Sequence, residues 1–284
     1  MLAVFTTGLT VAHAEEFGIA RRVPVYPQPS QQILPHVVRI IAFDSNGQSF
    51  GTGSYIGTYG EYGVILTNWH VVSETEGLVH VHFFSGPLWF SSYGARIKGD
   101  DKWDLALIAI AKPPQSIPVL AIAQNPAKQG DPLWIVGFGS GAYRIAKGEC
   151  VRYLAPTPES PKEVMEVSVS ARKGDSGGPI LNQRGELAGV LFGSDMIRNT
   201  AGSYSGRVNY FLTGAQSELA RLPDRPESYF ATIEKGGPFH LLQESRDVIP
   251  HTLGALQQSD FSDSSVYPFG MRSSSRRYTP PTGL

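Results

Sequence analysis

The sequence predicts an all-β fold, and three observations carry that reading. Short runs rich in branched and aromatic residues recur at close intervals, with clusters of Gly, Asn, Asp and Pro between them. The 284 residues include 31 Gly and 21 Pro, which suits tight turns and interrupts helices. Charged residues make up only 17%, against about 25% in an average soluble domain, too few to coat a helical bundle or coiled coil.

The runs justify themselves in order. Val37 to Phe43 is the first apolar segment, and Ser49 to Ile56 (SFGTGSYI) is Gly-rich and extended in character. Gly63 to Asn68 centres on Val-Ile-Leu-Thr, and Leu78 to Phe84 (LVHVHFF) is β-branched and aromatic. Phe90 to Ile97 and Leu105 to Ala111 follow. Ala111 to Pro126 then carries Pro113, Pro114, Pro118 and Pro126, the signature of a linker. Strands are expected again at Leu133 to Phe138, Tyr143 to Leu154, Val164 to Ala171, Pro179 to Leu181, Leu187 to Phe192 and Val208 to Leu212. Asn182-Gln183-Arg184-Gly185 is a hairpin turn between two of them. A short helix is expected over Ala215 to Leu222, with Thr213 and Gln216 as a capping box.

The ends differ from this middle. Residues 1–14 hold an uncharged apolar run closed by Ala12-His13-Ala14, which fits a secretory signal and its cleavage site, although no Lys or Arg precedes the run. This places the mature protein in a secreted or periplasmic setting, or in the cytoplasm if the segment is not a signal. Residues 15–34 are Pro-punctuated and read as a linker, with Arg21-Arg22 as a solvated pair. Residues 223–284 form a C-terminal extension, and after 257 the Ser-rich composition predicts disorder.

Charge and cysteine content exclude several classes. With 24 Lys+Arg against 25 Asp+Glu the chain has no field to hold nucleic acid or an anionic membrane. Cys150 alone allows neither an intrachain disulfide nor a Cys-based metal cluster, and reads as a packed residue. His80 and His82 alternate on one strand face, but without a third ligand they read as packed or surface histidines. No cofactor or metal is expected.

One string carries chemistry above all others: Gly174-Asp175-Ser176-Gly177-Gly178-Pro179. Glycines around a serine allow a tight turn that exposes the hydroxyl and frees neighbouring N–H groups to converge. A serine hydroxyl needs an adjacent base to act as a nucleophile. Upstream lie Thr67-Asn68-Trp69-His70-Val71-Val72, with a His at the end of an apolar strand, and Asp101-Lys102-Trp103-Asp104-Leu105-Ala106, with an Asp entering another. Asp100 and Asp101 compete with Asp104 but sit in a polar turn.

These strings resemble those of the chymotrypsin-fold (trypsin-like) serine peptidases over roughly Pro35 to Leu222. Gly51-Thr52-Gly53-Ser54-Tyr55-Ile56-Gly57 is similar to the strand preceding the family's catalytic His. Gly189-Val190-Leu191-Phe192-Gly193 is similar to the strand that lines its cleft. The short gaps and missing disulfides resemble compact bacterial members. The resemblance implies two six-stranded antiparallel Greek-key barrels, one over about 35–112 and one over about 127–214, within a peptidase domain of 35–222. It implies a polypeptide substrate, with no nucleic acid or membrane partner for the mature form. It implies His70, Asp104 and Ser176 as a catalytic triad, with the N–H groups of Gly174 and Ser176 as the oxyanion hole. Asp175 would prop the oxyanion loop. Ser170, Phe192, Gly193 and Ser194 would form the specificity pocket. Ser170 is not an acid, so small or medium uncharged side chains are expected at the cleaved position rather than Arg or Lys.

Two other readings remain open at this stage. A latent member of the fold would bind without cleaving. Gly174-x-Ser176-x-Gly178 also fits the nucleophile elbow of an α/β-hydrolase esterase, with His240 or His251 as the base.

Overall fold

The computed structural model describes residues 10–11, 33–44, 47–75, 77–85, 88–111, 116–155, 158–194 and 199–234. The expected signal apart from Thr10 and Val11, most of the linker, and everything after 234, including His240, His251 and the expected disordered tail, lie outside the described residues.

The first barrel is built from β1 (Thr10–Val11), β2 (Val37–Asp44), β3 (Gly47–Tyr59), β4 (Tyr62–Thr67), β5 (Val79–Ser85), β6 (Leu88–Asp100) and β7 (Leu105–Ala111). Its strand order is β1-β3-β2-β5-β6-β7-β4, and a β3–β4 pairing closes six of these into a ring, with β1 added outside on β3. A short helix, α1 (Trp69–Val72), follows β4. The second barrel comprises β8 (Pro132–Gly137), β9 (Arg144–Leu154), β10 (Val164–Val167), β11 (Pro179–Leu181), β12 (Leu187–Ser194) and β13 (Thr200–Tyr204). It closes in the order β10-β13-β12-β11-β8-β9, and every pairing in both barrels is antiparallel. The expectation of two six-stranded barrels therefore holds, and it removes the parallel, helix-crossed sheet that an α/β-hydrolase elbow requires.

The period-2 geometry of strands explains how one segment serves two cores. All six residues of β4 are buried. Ile65 faces the interior of the first barrel with Ile40, Val81, Phe83 and Ile108. Val64 and Leu66 face the other way, into a seam with Leu105, Leu107, Val136, Phe138, Val190 and Phe211. The interior of the second barrel holds Leu133, Ile135, Met165, Val167, Ile180, Leu191 and Cys150. Burial pushes the Cys150 thiol up to about 11, so it packs as an uncharged group.

The C-terminal part corrects the sequence reading. Val208 to Leu212 is not a strand but lies within α2 (Ser205–Gly214), which is followed by α3 (Gln216–Leu219) and α4 (Pro226–Glu234). The buried residues Val208, Phe211, Leu212, Ala215 and Leu219 follow helical spacing, which a five-residue window could not separate from a strand. The sixth strand of the barrel is β13 instead, whose Thr-Ala-Gly-Ser-Tyr sequence carries too few branched residues to signal a strand. The expected capping box is absent, because α3 starts without a side-chain cap and Thr213 Oγ1 donates back to Asn209 O at 2.9 Å. Val164 to Ala171 is strand only as far as Val167.

Beyond Leu222 the chain returns to the first barrel. Tyr62 Oη donates to Pro223 O at 2.7 Å, and Phe230 of α4 packs with Tyr62, Leu78, Ala95 and Ala109. Pro226 opens α4 at a position where a missing N–H costs nothing. Phe230→Ala should therefore lower stability by about 3 kcal/mol, read as a reduced urea midpoint at an unchanged m-value.

One buried group makes the fold sensitive to acid. His36 is 3% exposed, and neither ring nitrogen has a hydrogen-bond partner. Burial lowers its pKa to about 4, and His82 is lowered to about 4, chiefly by burial and then by His80 and Arg39. Between pH 6.5 and 4 the unfolded histidine binds a proton that the folded one refuses, so stability falls as pH falls. For His36 the loss approaches about 3 kcal/mol by pH 4. Urea midpoints measured from pH 7 to 4 should fall, and His36→Leu should flatten part of that slope.

Candidate functional site

The site residues lie where the barrels meet. His70 sits in the single turn of α1, directly after the buried end of β4. Its backbone N–H donates to Asp104 Oδ1 at 2.9 Å, and its Nδ1 lies 2.6 Å from Asp104 Oδ2. A carboxylate only accepts, so Nδ1 carries the proton in this contact. Asp104 ends the turn before β7 with φ +51, a left-handed conformation that Asp tolerates better than most residues. The buried side chain of Asn68 holds that turn by donating from Nδ2 to Asp104 O at 2.7 Å. From the second barrel, Ser203 Oγ donates to Trp103 O at 2.7 Å, and the Arg207 guanidinium covers the Trp103 ring at 4.1 Å. Of the competing acids, Asp100 accepts from Trp103 N–H and Asp101 is exposed.

Ser176 is brought to the same seam by its neighbour. Gly177 has φ +84, and a Cβ there would stand 2.1 Å from Thr52 O, 2.2 Å from Thr67 Oγ1 and 3.1 Å from Asn68 N. Only a glycine lets the serine turn approach β3 and the end of β4 this closely. The carbonyl of Ser176 accepts from Thr52 N–H at 2.8 Å. Among the described residues Ser176 Oγ makes no hydrogen bond, and neither the Gly174 nor the Ser176 N–H meets a protein acceptor.

A buried ion cluster shapes the loop before the serine. Asp175 is 2% exposed. Its Oδ1 accepts from Gly139 N–H at 2.6 Å and Arg172 Nη2 at 3.2 Å, and its Oδ2 from Arg172 N–H at 2.8 Å and Arg144 Nη2 at 3.2 Å. Arg144 also donates to Ser170 O at 2.8 Å, and Arg172 to Ala142 O at 2.7 Å. Lys173 O accepts from Ser140 N–H at 2.8 Å, with Ser140 at φ +56. The 173–174 peptide is planar and trans, so pinning its carbonyl one way aims the Gly174 N–H the other.

The expected pocket residues lie on the second barrel. Ser170 is exposed, Phe192 is half-buried against the seam, and Gly193 faces open space, with no atom within 4 Å of where a Cβ would stand. Ser194 ends β12 opposite Thr200. A crevice open to solvent is lined by His70 together with Ala42, Phe43, Ser49, Val71, Glu74 and Thr75. His80 and His82 stand with ring centroids 6.2 Å apart, and no group of three or more His, Cys, Asp or Glu side chains suits a metal ion among the described residues. Sequence reasoning did not single out Asn68, Arg144, Arg172 or Ser203 at all. The partners of Asn68, Arg144 and Ser203 are distant in sequence, and although Asp175 lies three residues from Arg172, no local pattern marks that pair.

Two antiparallel barrels with His, Asp and Ser at their seam define a chymotrypsin-like peptidase fold. Residues 51–190 match the trypsin-like peptidase domain family. The serine protease Rv3671c of Mycobacterium tuberculosis is 29% identical over 140 residues, covering 46% of this chain and 33% of that protein. The serine protease HTRA1A of Danio rerio is 28% identical over 211 residues, covering 67% of this chain and 41% of that protein. The periplasmic pH-dependent serine endoprotease DegQ of Escherichia coli is 28% identical over 152 residues, covering 52% and 32%. The chain thus spans about a third of the length of most of these relatives. The crystal structure of the Rv3671c protease in its active form superposes with a TM-score of 0.55 at 23% identity, over 72% of this chain and 94% of that one, which shows the shared fold. Its inactive form gives 0.51 at 25% identity, over 64% and 89%.

The carboxylate of Asp175 is held mostly by charged donors, so its removal should be costly. Asp175→Ala should destabilise the chain by about 3 kcal/mol, by leaving two arginines without their shared partner. Arg144→Ala should cost less, because Arg172 still pairs with Asp175. Urea unfolding followed by tryptophan fluorescence checks the ranking.

Proposed function

We propose that the chain is a serine endopeptidase acting through an acyl-enzyme, with His70, Asp104 and Ser176 as its triad. The observation that carries this reading is the pairing of a His70 ring fixed on Asp104 with two unengaged N–H groups, at Gly174 and Ser176, beside the serine. His70 Nε2 takes the Ser176 proton as the hydroxyl attacks the scissile carbonyl, then returns it to the leaving amine. Asp104 holds the ring and stabilises the imidazolium. The N–H groups of Gly174 and Ser176 receive the charge that develops on the carbonyl oxygen. Ser176 Oγ makes no hydrogen bond among the described residues, and catalytic hydrogen bonds often tighten only when substrate is bound.

Ser170, Phe192, Gly193 and Ser194 form the pocket for the residue before the cleaved bond. Ser170 offers no carboxylate, and the Arg144 guanidinium already stands against its carbonyl, so a substrate Arg or Lys meets like charge there. Small or medium uncharged side chains fit best. Relatives named periplasmic, together with the apolar N-terminal run, support action outside the cytoplasm. No helix among the described residues is long and apolar enough to cross a membrane.

The test is a fluorophosphonate probe followed by peptide turnover. The wild type should label once, at Ser176. Ser176→Ala should abolish labelling, and His70→Ala should lower kcat by at least about 10⁴-fold. A folded wild type that neither labels nor cleaves would instead be a binding member of the fold. Cleavage-site profiling should show uncharged residues before the scissile bond, and a preference for Arg or Lys would overturn the pocket assignment.

A further inference from the structure

We infer that the Thr52 hydroxyl is a positioning group for the oxyanion hole, reaching from the first barrel to set the loop of the second. This rests on the endopeptidase reading above. Thr52 lies in β3 and is fully buried. Its Oγ1 donates to Gly174 O at 2.8 Å and accepts from Phe138 N–H at 3.0 Å. Its own N–H donates to Ser176 O at 2.8 Å, and its carbonyl accepts from Thr67 Oγ1 at 2.8 Å. One residue therefore holds the carbonyls of both residues whose N–H groups face the substrate oxygen.

Among the described residues the Thr52 hydroxyl is the one donor to Gly174 O. The peptide before Gly174 is fixed by Ser140 on Lys173 O, and the peptide after it is fixed by Thr52 Oγ1 on Gly174 O together with Asp175 N–H on Arg172 O at 3.0 Å. Gly174 has φ +95 and no side chain to resist rotation. If the second peptide is released, Gly174 O must turn to find another donor, because a buried carbonyl is costly to leave unpaired. Rotation about Gly174 then carries its N–H out of line. Phe138 N–H loses its acceptor in the same event, and Phe138 leads into the Gly139–Ser140 turn that holds Asp175 and Lys173.

The test compares Thr52→Val, which keeps the branched shape without the hydroxyl, with Thr52→Ser, which keeps the hydroxyl. Both are made in the full chain. For Thr52→Val, kcat should fall about 10²-fold or more, the scale of losing one oxyanion donor, with KM changed less than about threefold. Affinity for a peptide aldehyde, whose hemiacetal oxygen occupies the hole, should fall by a similar factor. Thr52→Ser should stay within about fivefold of wild type on every measure. Should Thr52→Val fail to melt cooperatively, Thr52→Ala carries the same comparison, since it cannot overpack the site. The inference is overturned if a folded hydroxyl-free variant keeps kcat and aldehyde affinity, if Thr52→Ser loses them equally, or if only KM changes. A wild type that fluorophosphonate does not label defeats the endopeptidase reading, and this inference with it. A labelled wild type with an unaffected Thr52→Val defeats this inference alone.

Discussion

Everything at the site depends on how closely two barrels can touch. The first barrel carries His70 paired with Asp104, and the second carries Ser176 and its turn. The approach is set by the absence of a side chain at Gly177, against Thr52, Thr67 and Asn68. The apolar seam supplies the attraction, with Val64, Leu66, Leu105 and Leu107 from one barrel against Val136, Phe138 and Val190 from the other. Hydrogen bonds such as Ser203 to Trp103 add direction to an attraction that has none of its own. No disulfide is available to this chain, so packing and these bonds must fix the register.

Within the second barrel the loop before the serine is held by ions rather than by packing. Asp175 is nearly inaccessible, and a lone carboxylate there would be expensive to bury. Two arginines and two backbone N–H groups surround it. The same arginines reach on to Ala142 O and Ser170 O, so one charge cluster joins the turn after β8, the segment at Ser170 and the serine loop. This suits a segment whose peptide planes matter more than its side chains.

The parts of this arrangement visible in the sequence were those encoded locally. Ser176 stands in an unbroken Gly-rich string, His70 follows a wholly apolar strand, and Asp104 precedes another. Each could be placed from its neighbours. Arg144 could not, because its partners Ser170 and Asp175 lie across a barrel and nothing beside it is unusual. Thr52 was visible only as part of a Gly-rich strand, since the bonds that matter run to Phe138 and Gly174. Val208 to Leu212 is too short a run to show the helical period of α2, and Gly202 and Ser203 of β13 contribute little apolar area. Period and composition inform about faces that bury hydrocarbon; they are silent where burial is achieved by small residues or backbone.

The return of α4 to the first barrel has a consequence for biosynthesis. Phe230 and Pro223 complete contacts with Tyr62 that were left open some hundred and sixty residues earlier. The second barrel is thus threaded between two portions of the first. A chain leaving the ribosome can begin both barrels but can finish neither the Tyr62 face nor the seam until α2 and α4 have emerged. The seam that brings His70 and Ser176 together therefore closes only after the second barrel and α2 have been made.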